Sequence, residues 1–197
     1  SVPYFYNNYW YIKKFVKGKD YPIYTRKYKS LENREEILID VNKLAEGHSF
    51  YNLGGLSISP DNKTLAYSAD TISRRLYTIY FLNIENGKLY DEKIDNTTGS
   101  LTWANDNETV FYSKKDLTTL RVNKIFKHKL NSNPKKDELI YEEKDESFSV
   151  GISKSKSEDF LFINSVSTLT SEIRFLNANT PDEKFKVFEK RAKGHEY

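Results

Sequence analysis

The sequence of 197 residues contains no cysteine, no methionine and only three histidines, and it has no long apolar run. Without cysteine the protein can form no disulfide, no zinc–thiolate site and no thiol nucleophile. No stretch approaches the roughly 20 apolar residues that a membrane-spanning helix requires, and no secretory signal is visible. We therefore expect no membrane association and a cytoplasmic location, with the periplasm left open. Because even position 1 is not methionine, we expect the chain to come from a longer protein.

An excess of charge of one sign is also missing. The 31 basic and 28 acidic residues are mixed along the chain and give a net charge of +3. A nucleic-acid-binding face would need clustered Lys and Arg, so we predict no nucleic-acid partner. Aromatic residues, in contrast, make up 15% of the sequence. Their large rings pack well on pleated surfaces, which favours a β protein.

The strongest internal pattern is a repeated β-hairpin. Leu56–Asp70 has alternating apolar residues, the turn Ser59–Asn62, and then a second run of strand-like residues. The same pattern returns at Leu101–Ser113, displaced by about 45 residues, which is the length of one four-stranded propeller blade. The matched pairs are Leu56/Leu101, Ile58/Trp103, Asp61/Asp106, Asn62/Asn107, Thr64/Thr109, Leu65/Val110, Tyr67/Tyr112 and Ser68/Ser113.

This repeat predicts an all-β fold, a partial β-propeller of about four blades with four antiparallel strands each. One domain, 1–197, would hold blades at approximately 1–40, 54–95, 100–143 and 147–190, with a helical turn at 41–45. In the second blade we predict a third strand at 75–82 and an outer strand at 89–94. An immunoglobulin-like sandwich is the alternative fold, but it explains the short strands and not the repeat.

No set of residues predicts catalysis or metal binding. The G-x-S-x-G elbow of α/β-hydrolases is absent. The histidines His48, His128 and His195 fall in different units. His195-Glu196 begins like the zinc motif H-E-x-x-H, but the sequence has no second histidine at the required spacing.

The polar runs have simpler interpretations. Asp61-Asn62 and Asn105–Asn107 lack the rest of a calcium loop and are interpreted as turn residues. Lys127–Lys129 places His128 between two cations, which is unfavourable for a metal ion. We interpret the acidic run Glu142–Glu146 as a solvated loop. We therefore assign no catalytic, cofactor-binding or metal-binding residue and predict no cofactor.

Seven segments, spread in order over nearly the whole chain, are similar in sequence to a known protein family. They are Tyr21–Lys27 (YPIYTRK), Ile37–His48 (ILIDVNKLAEGH), Leu56–Asp70 (LSISPDNKTLAYSAD), Arg74–Ile79 (RRLYTI), Leu139–Glu146 (LIYEEKDE), Ser167–Leu176 (STLTSEIRFL) and Gly194–Tyr197 (GHEY). Together they resemble the propeller domain of the oligopeptidase B (protease II) enzymes, in the prolyl oligopeptidase family of serine peptidases. The Ser-Pro-Asp-Asn turn alone is common in propellers, and the ordered set carries the resemblance.

The resemblance implies a seven-bladed propeller joined to a C-terminal α/β-hydrolase domain that cleaves oligopeptides after Arg or Lys with a Ser-Asp-His triad. The propeller would gate the active site and exclude folded proteins. This chain corresponds to about four of the seven blades and lacks the hydrolase domain, so no triad residue is placed on it. We expect the chain alone to be inactive, with its own hydrolase domain and basic oligopeptides as partners in the parent enzyme.

A stand-alone propeller that binds other proteins is the alternative function. In either case an open arc of blades leaves two sheet faces uncovered. We expect exposed apolar surface near Trp10 and near Phe185–Phe188, and self-association through it.

Overall fold

A computed structural model describes residues 1–196, and strands account for 51% of the residues against 4% for helices. These values and the antiparallel pairing confirm the predicted all-β class. Tyr197, which ends the last segment of the resemblance, lies outside the described residues. Over the described part, no helix is long and apolar enough to cross a membrane. The elements are β1 (Tyr4–Tyr6), β2 (Tyr9–Lys14), β3 (Ile23–Tyr28), β4 (Glu35–Asp40), α1 (Val41–Leu44), β5 (Asn52–Ile58), β6 (Thr64–Asp70), β7 (Tyr77–Asn83), β8 (Leu89–Trp103), β9 (Thr109–Lys115), β10 (Val122–Lys129), a 3-10 turn (Pro134–Lys136), β11 (Glu138–Glu142), β12 (Ser149–Lys154), β13 (Phe160–Val166), β14 (Ser171–Asn177) and β15 (Lys186–Val187).

The strands pair in chain order within three sheets, β1–β4, β5–β11 and β12–β15. The middle sheet has seven strands because the long β8 pairs with β7 and then with β9. We describe the molecule as four units: β1–β4, β5 to the first half of β8, the second half of β8 to β11, and β12–β15. The division into four separate blades stays a prediction, since the second and third units share a strand.

Strand β8 replaces the separate outer strand that was predicted at 89–94 and the inner strand that follows it. The backbone bends at Asn96 (φ +59°) and Gly99 (φ +88°) while the hydrogen bonding continues, and Thr97 lies opposite residues of both β7 and β9. Ser68 Oγ donates a hydrogen bond to the Gly99 carbonyl at 3.0 Å, and a Cβ atom on Gly99 would lie 2.9 Å from that hydroxyl oxygen. Both the left-handed φ and the close approach therefore require glycine at this bend.

Aspartate side chains set two element boundaries. The strand predicted to start at Arg75 starts at Tyr77 instead. Asp70 Oδ2 accepts a hydrogen bond from the Arg75 N–H at 2.7 Å and so holds the preceding residues in a loop. Asp40 caps α1, because its carboxylate accepts from the Asn42 N–H at 3.0 Å. This confirms the helical turn predicted at 41–45.

The core lies between neighbouring units, because alternate residues of one strand point to opposite sheet faces. In β6, Leu65 and Tyr67 pack on the first unit and Ala66 packs on the third. In β9, Tyr112 packs on the second unit and Phe111 packs on the fourth. All five side chains are buried. The second and third units are therefore covered on both faces.

The two outermost sheet faces carry exposed aromatic side chains in the two predicted regions. On the first unit Phe5 is 51% exposed, and its ring centroid lies 5.2 Å from that of the partly buried Trp10. On the fourth unit Phe188 is 67% exposed. Phe185 instead turns inward and its ring meets that of Phe111 at 5.5 Å. Self-association through these faces stays a prediction.

Candidate functional site

Four hairpin turns, one after the first strand of each unit, meet at one end of the sheets, which we call the turn end. Hydrogen bonds join the turns: Asn7 Nδ2 to Pro60 O (2.7 Å), Asp61 N to Asn107 Oδ1 (2.8 Å), and Asn105 Nδ2 to Glu158 O (3.1 Å). Asn62 and Asn107 have φ values of +64° and +63°, a conformation that asparagine tolerates. The repeated Asp and Asn residues therefore shape the turns, and several of them also bind a neighbouring unit.

A cavity of about 490 Å³, which we call the axial pocket, opens beside these turns. All four units contribute to it, so it exists only when the sheets are stacked. Its size falls within the range of about 300–1,000 Å³ that is typical of small-molecule sites. The lining residues are Tyr4, Tyr6, Tyr11, Leu56, Ser57, Ile58, Pro60, Thr102, Trp103, Lys154, Ser155, Lys156 and Glu158.

The first unit supplies a tyrosine wall to the axial pocket. The rings of Tyr4 and Tyr11 stack with centroids 5.2 Å apart. Burial raises the pKa of Tyr11 to about 12, although the Arg26 charge opposes the shift. The Tyr6 hydroxyl donates a hydrogen bond to the carboxylate of Glu158, a residue of the fourth unit. Burial and this carboxylate raise the pKa of Tyr6, so the hydroxyl keeps its proton and joins the first unit to the fourth.

Lys154 is the positive group of the axial pocket whose side chain is mostly buried, with 15% of its surface exposed. Its ammonium donates to Asn105 Oδ1 at 2.6 Å, while the nearest carboxylate oxygen, on Glu158, is 3.9 Å away. Burial lowers the pKa of Lys154, and the Glu158 charge offsets only part of that shift. The ammonium is therefore incompletely compensated by negative charge.

At the opposite end of the sheets, Glu143, Tyr141 and Arg191 form a hydrogen-bonded cluster that we call the tail latch. This cluster corrects the interpretation of Glu142–Glu146 as a solvated loop. Glu143 is only 5% exposed, whereas the other four residues of Glu142–Glu146 are exposed as predicted. Its Oε2 accepts from Arg191 at 2.6 Å and from Tyr141 at 2.8 Å. The Arg191 guanidinium also stacks on Phe148 at 3.7 Å. Glu143 thus binds the segment that follows β15.

The histidines remain apart in the structure. His128 is fully buried because strand alternation turns it away from Lys127 and Lys129. Its Nδ1 lies 2.8 Å from Asp137 Oδ1, and its Nε2 lies 3.7 Å from Glu92. The expectation from the sequence, that His128 lies between two cations, is therefore wrong, because its ring lies beside carboxylates. In the part of the chain from 1 to 196, no three His, Asp or Glu side chains are grouped to hold a metal ion.

Sequence reasoning placed no residue in the axial pocket or the tail latch. Tyr6 and Glu158 are 152 positions apart, and Arg191 and Glu143 are 48 apart. Such distances leave no local pattern. The burial of His128, in contrast, could have been predicted from the period-2 alternation of its strand.

Consecutive antiparallel meanders with a core between the sheets define the architecture of a partial β-propeller. The family model described as prolyl oligopeptidase, N-terminal beta-propeller domain, matches residues 1–197. The chain therefore belongs to the prolyl oligopeptidase family and corresponds to its N-terminal propeller domain.

Relatives agree with this assignment. The chain is 38% identical to "Dipeptidyl aminopeptidase BI" of Pseudoxanthomonas mexicana over 100% of its length, and 32% identical to "Protease 2" of Moraxella lacunata over 98%. Its fold matches oligopeptidase B from Leishmania major with a TM-score of 0.94 and 33% identity over 98% of the chain. The chain spans 29% of the length of each of the two curated relatives and 28% of the Leishmania protein.

Proposed function

We propose that this chain forms four consecutive blades, approximately 1–40, 54–95, 100–143 and 147–190, of the propeller of an oligopeptidase B-like serine peptidase. The parent enzyme would cleave short peptides after Arg or Lys. The observation that supports this most is the 33% identity and 0.94 TM-score with an oligopeptidase B over 98% of the chain. The alternative of a stand-alone interaction module gains no support from the relatives.

In this proposal a hydrolase domain catalyses the cleavage, and this chain forms part of the propeller that covers the active site. A cover that admits peptides and rejects folded domains must keep its opening narrow during turnover. The bonds between the turns and the Tyr6–Glu158 contact suit that role, because they join units that are far apart in sequence. The sheet stack would act as a stiff wall that moves as one body.

A second specificity is supported by one observation. The relative that is 38% identical carries the name of a dipeptidyl aminopeptidase, an enzyme that removes dipeptides from a free amino terminus. In this alternative the parent protein shares that preference for chain ends. Substrates with free and with blocked amino termini distinguish the two specificities.

The test is a cleavage assay on the full-length protein encoded by the source gene. Three substrates carry the same Arg-containing sequence: a short peptide with a blocked amino terminus, the same peptide with a free amino terminus, and a folded protein that displays the sequence in a loop. We expect cleavage of the blocked peptide after Arg and none of the folded protein. Residues 1–197 alone serve as the inactive control.

Each outcome has a defined meaning. Equal cleavage of the folded protein would refute gating, and cleavage that ignores Arg and Lys would refute the specificity. Removal of dipeptides from the free peptide only would favour the dipeptidyl alternative. Activity of the rigorously purified chain alone would contradict the assignment of the chemistry to another domain.

A further inference from the structure

We infer that the axial pocket binds the free C-terminal carboxylate of a short peptide, with Lys154 as its positive partner. The inference rests on the proposed function only in naming a peptide as the ligand. The recognised group, a carboxylate beside an apolar side chain, follows from the pocket itself.

The first reason is the unequal pairing of Lys154. A buried cation is normally held by a carboxylate, but this ammonium makes its short hydrogen bond to a neutral amide oxygen of Asn105. The nearby Glu158 is 3.9 Å away and is already bound by the Tyr6 hydroxyl. The pKa of Lys154 is lowered for the same reason, since burial outweighs the negative charge present. A ligand carboxylate would supply the missing counter-charge.

The second reason is the positive net charge of the residues that line the pocket. Two lysines, Lys154 and Lys156, face one carboxylate, Glu158. Lys156 is exposed at the rim, where it adds attraction at longer range. The remaining lining residues carry no charge. The pocket therefore favours an anion over the Arg or Lys side chains that the parent enzyme is proposed to cleave after.

The third reason is the wall beside this charge. Leu56 and Ile58 line the pocket together with the stacked rings of Tyr4 and Tyr11. A small inorganic anion would leave this apolar surface uncovered. A peptide that ends in an aliphatic or aromatic residue would cover it and place its carboxylate near the ammonium. A few polar contacts beside an apolar wall are the usual way in which such sites fix the orientation of a ligand.

The experiment compares two probes on the full-length protein by titration calorimetry. One probe is acetyl-Ala-Ala-Phe with a free carboxylate, and the other is the same peptide with a C-terminal amide. Neither contains Arg or Lys and both have blocked amino termini, so the result does not depend on the proposed cleavage specificity. We expect the free acid to bind at least about ten-fold more tightly, because one charge-assisted hydrogen bond is lost in the amide.

Variants locate the effect. Lys154→Gln should abolish the difference between acid and amide, and Lys154→Arg should retain most of it. Lys129→Gln, at an exposed lysine outside the pocket, is the matched control and should change nothing. Circular dichroism checks that each variant is folded. If Lys154→Gln does not fold, the comparison of acid and amide on Lys154→Arg keeps the test valid.

The inference is overturned if neither probe binds, or if acid and amide bind equally. It is also overturned if the preference for the acid survives Lys154→Gln, because the carboxylate then binds at another site. If the unsubstituted full-length protein cleaves no peptide, that result counts against the proposed function, and the calorimetric comparison of acid and amide still tests the inference.

Discussion

Replacing Glu143 with glutamine tests whether the tail latch stabilises the fold. Glutamine keeps the shape of the side chain and removes its charge, so the packing is retained while the ion pair with Arg191 is lost. Three donors now point at the carboxylate, from Arg191 (2.6 Å), Tyr141 (2.8 Å) and the Asp145 N–H (3.0 Å).

The expected loss in the free energy of unfolding at pH 7 is about 2 kcal/mol, since hydrogen bonds to charged groups contribute about 1.5–3 kcal/mol. The loss should stay below the roughly 3–5 kcal/mol measured for breaking fully buried pairs. Arg191 is 25% exposed and also lies 3.8 Å from a carboxylate oxygen of Glu172, so its charge keeps water and one anionic neighbour when residue 143 is neutral, whereas the side chain of Glu143 is 6% exposed.

The effect should depend on pH with a defined sign. Burial by itself would raise the pKa of Glu143, but the hydrogen bonds and the charge of Arg191 more than offset it and lower the pKa from its ordinary value of 4.5. A carboxyl group whose pKa is lowered on folding contributes stability that is present above that ordinary value. This contribution is lost as the pH falls through the lowered pKa. Because glutamine does not titrate, the gap between the two proteins should narrow below pH 4.5.

Urea unfolding at pH 7 and at several values below 4.5 measures both quantities. The matched control is Glu142→Gln, one position away, where an exposed pair with Lys124 at 3.4 Å contributes about 0–1 kcal/mol. Hydrogen exchange of the Gly194 N–H, which donates to Thr170 Oγ1 at 2.9 Å, reports local release of the segment. A loss no larger than that of the control, or a gap that does not narrow in acid, would refute the reasoning.

Two further substitutions test the bend in β8 and the bonds between turns, again by urea unfolding. Gly99→Ala should lower the free energy of unfolding by about 1–3 kcal/mol, because it combines a left-handed φ with a steric clash. Gly87 has a similar φ and open space around it, so Gly87→Ala should lower that free energy by only about 1 kcal/mol. Equal losses for the two variants would contradict the clash at Gly99. Asn107→Gly should cost about 1 kcal/mol through the lost hydrogen bond from Asp61, while Asn131→Gly, at the same φ of +63°, should be nearly neutral. A neutral Asn107→Gly would show that the inter-turn bond adds no stability.

The strand pattern was largely predictable because its causes are local. Alternation in Leu56–Ile58 and Thr64–Asp70 gave strands, and the Asp and Asn residues of the repeated turns gave the hairpins. The start of β7 was missed because Asp70 accepts from a backbone group five residues away. Continuity of β8 through Asn96 and Gly99 was missed because residues that usually mark turns here bend a paired strand.

By itself, then, the sequence determined the all-β class, the repeated hairpin and the family, because each depends on short segments in a fixed order. Only the tertiary structure decided that Glu143 is buried beside Arg191 and that His128 faces carboxylates. It alone placed Lys154 in a pocket lined by all four units. These features arise from the way one sheet stacks on the next. Stacking brings together residues up to 152 positions apart, for which no local spacing rule exists.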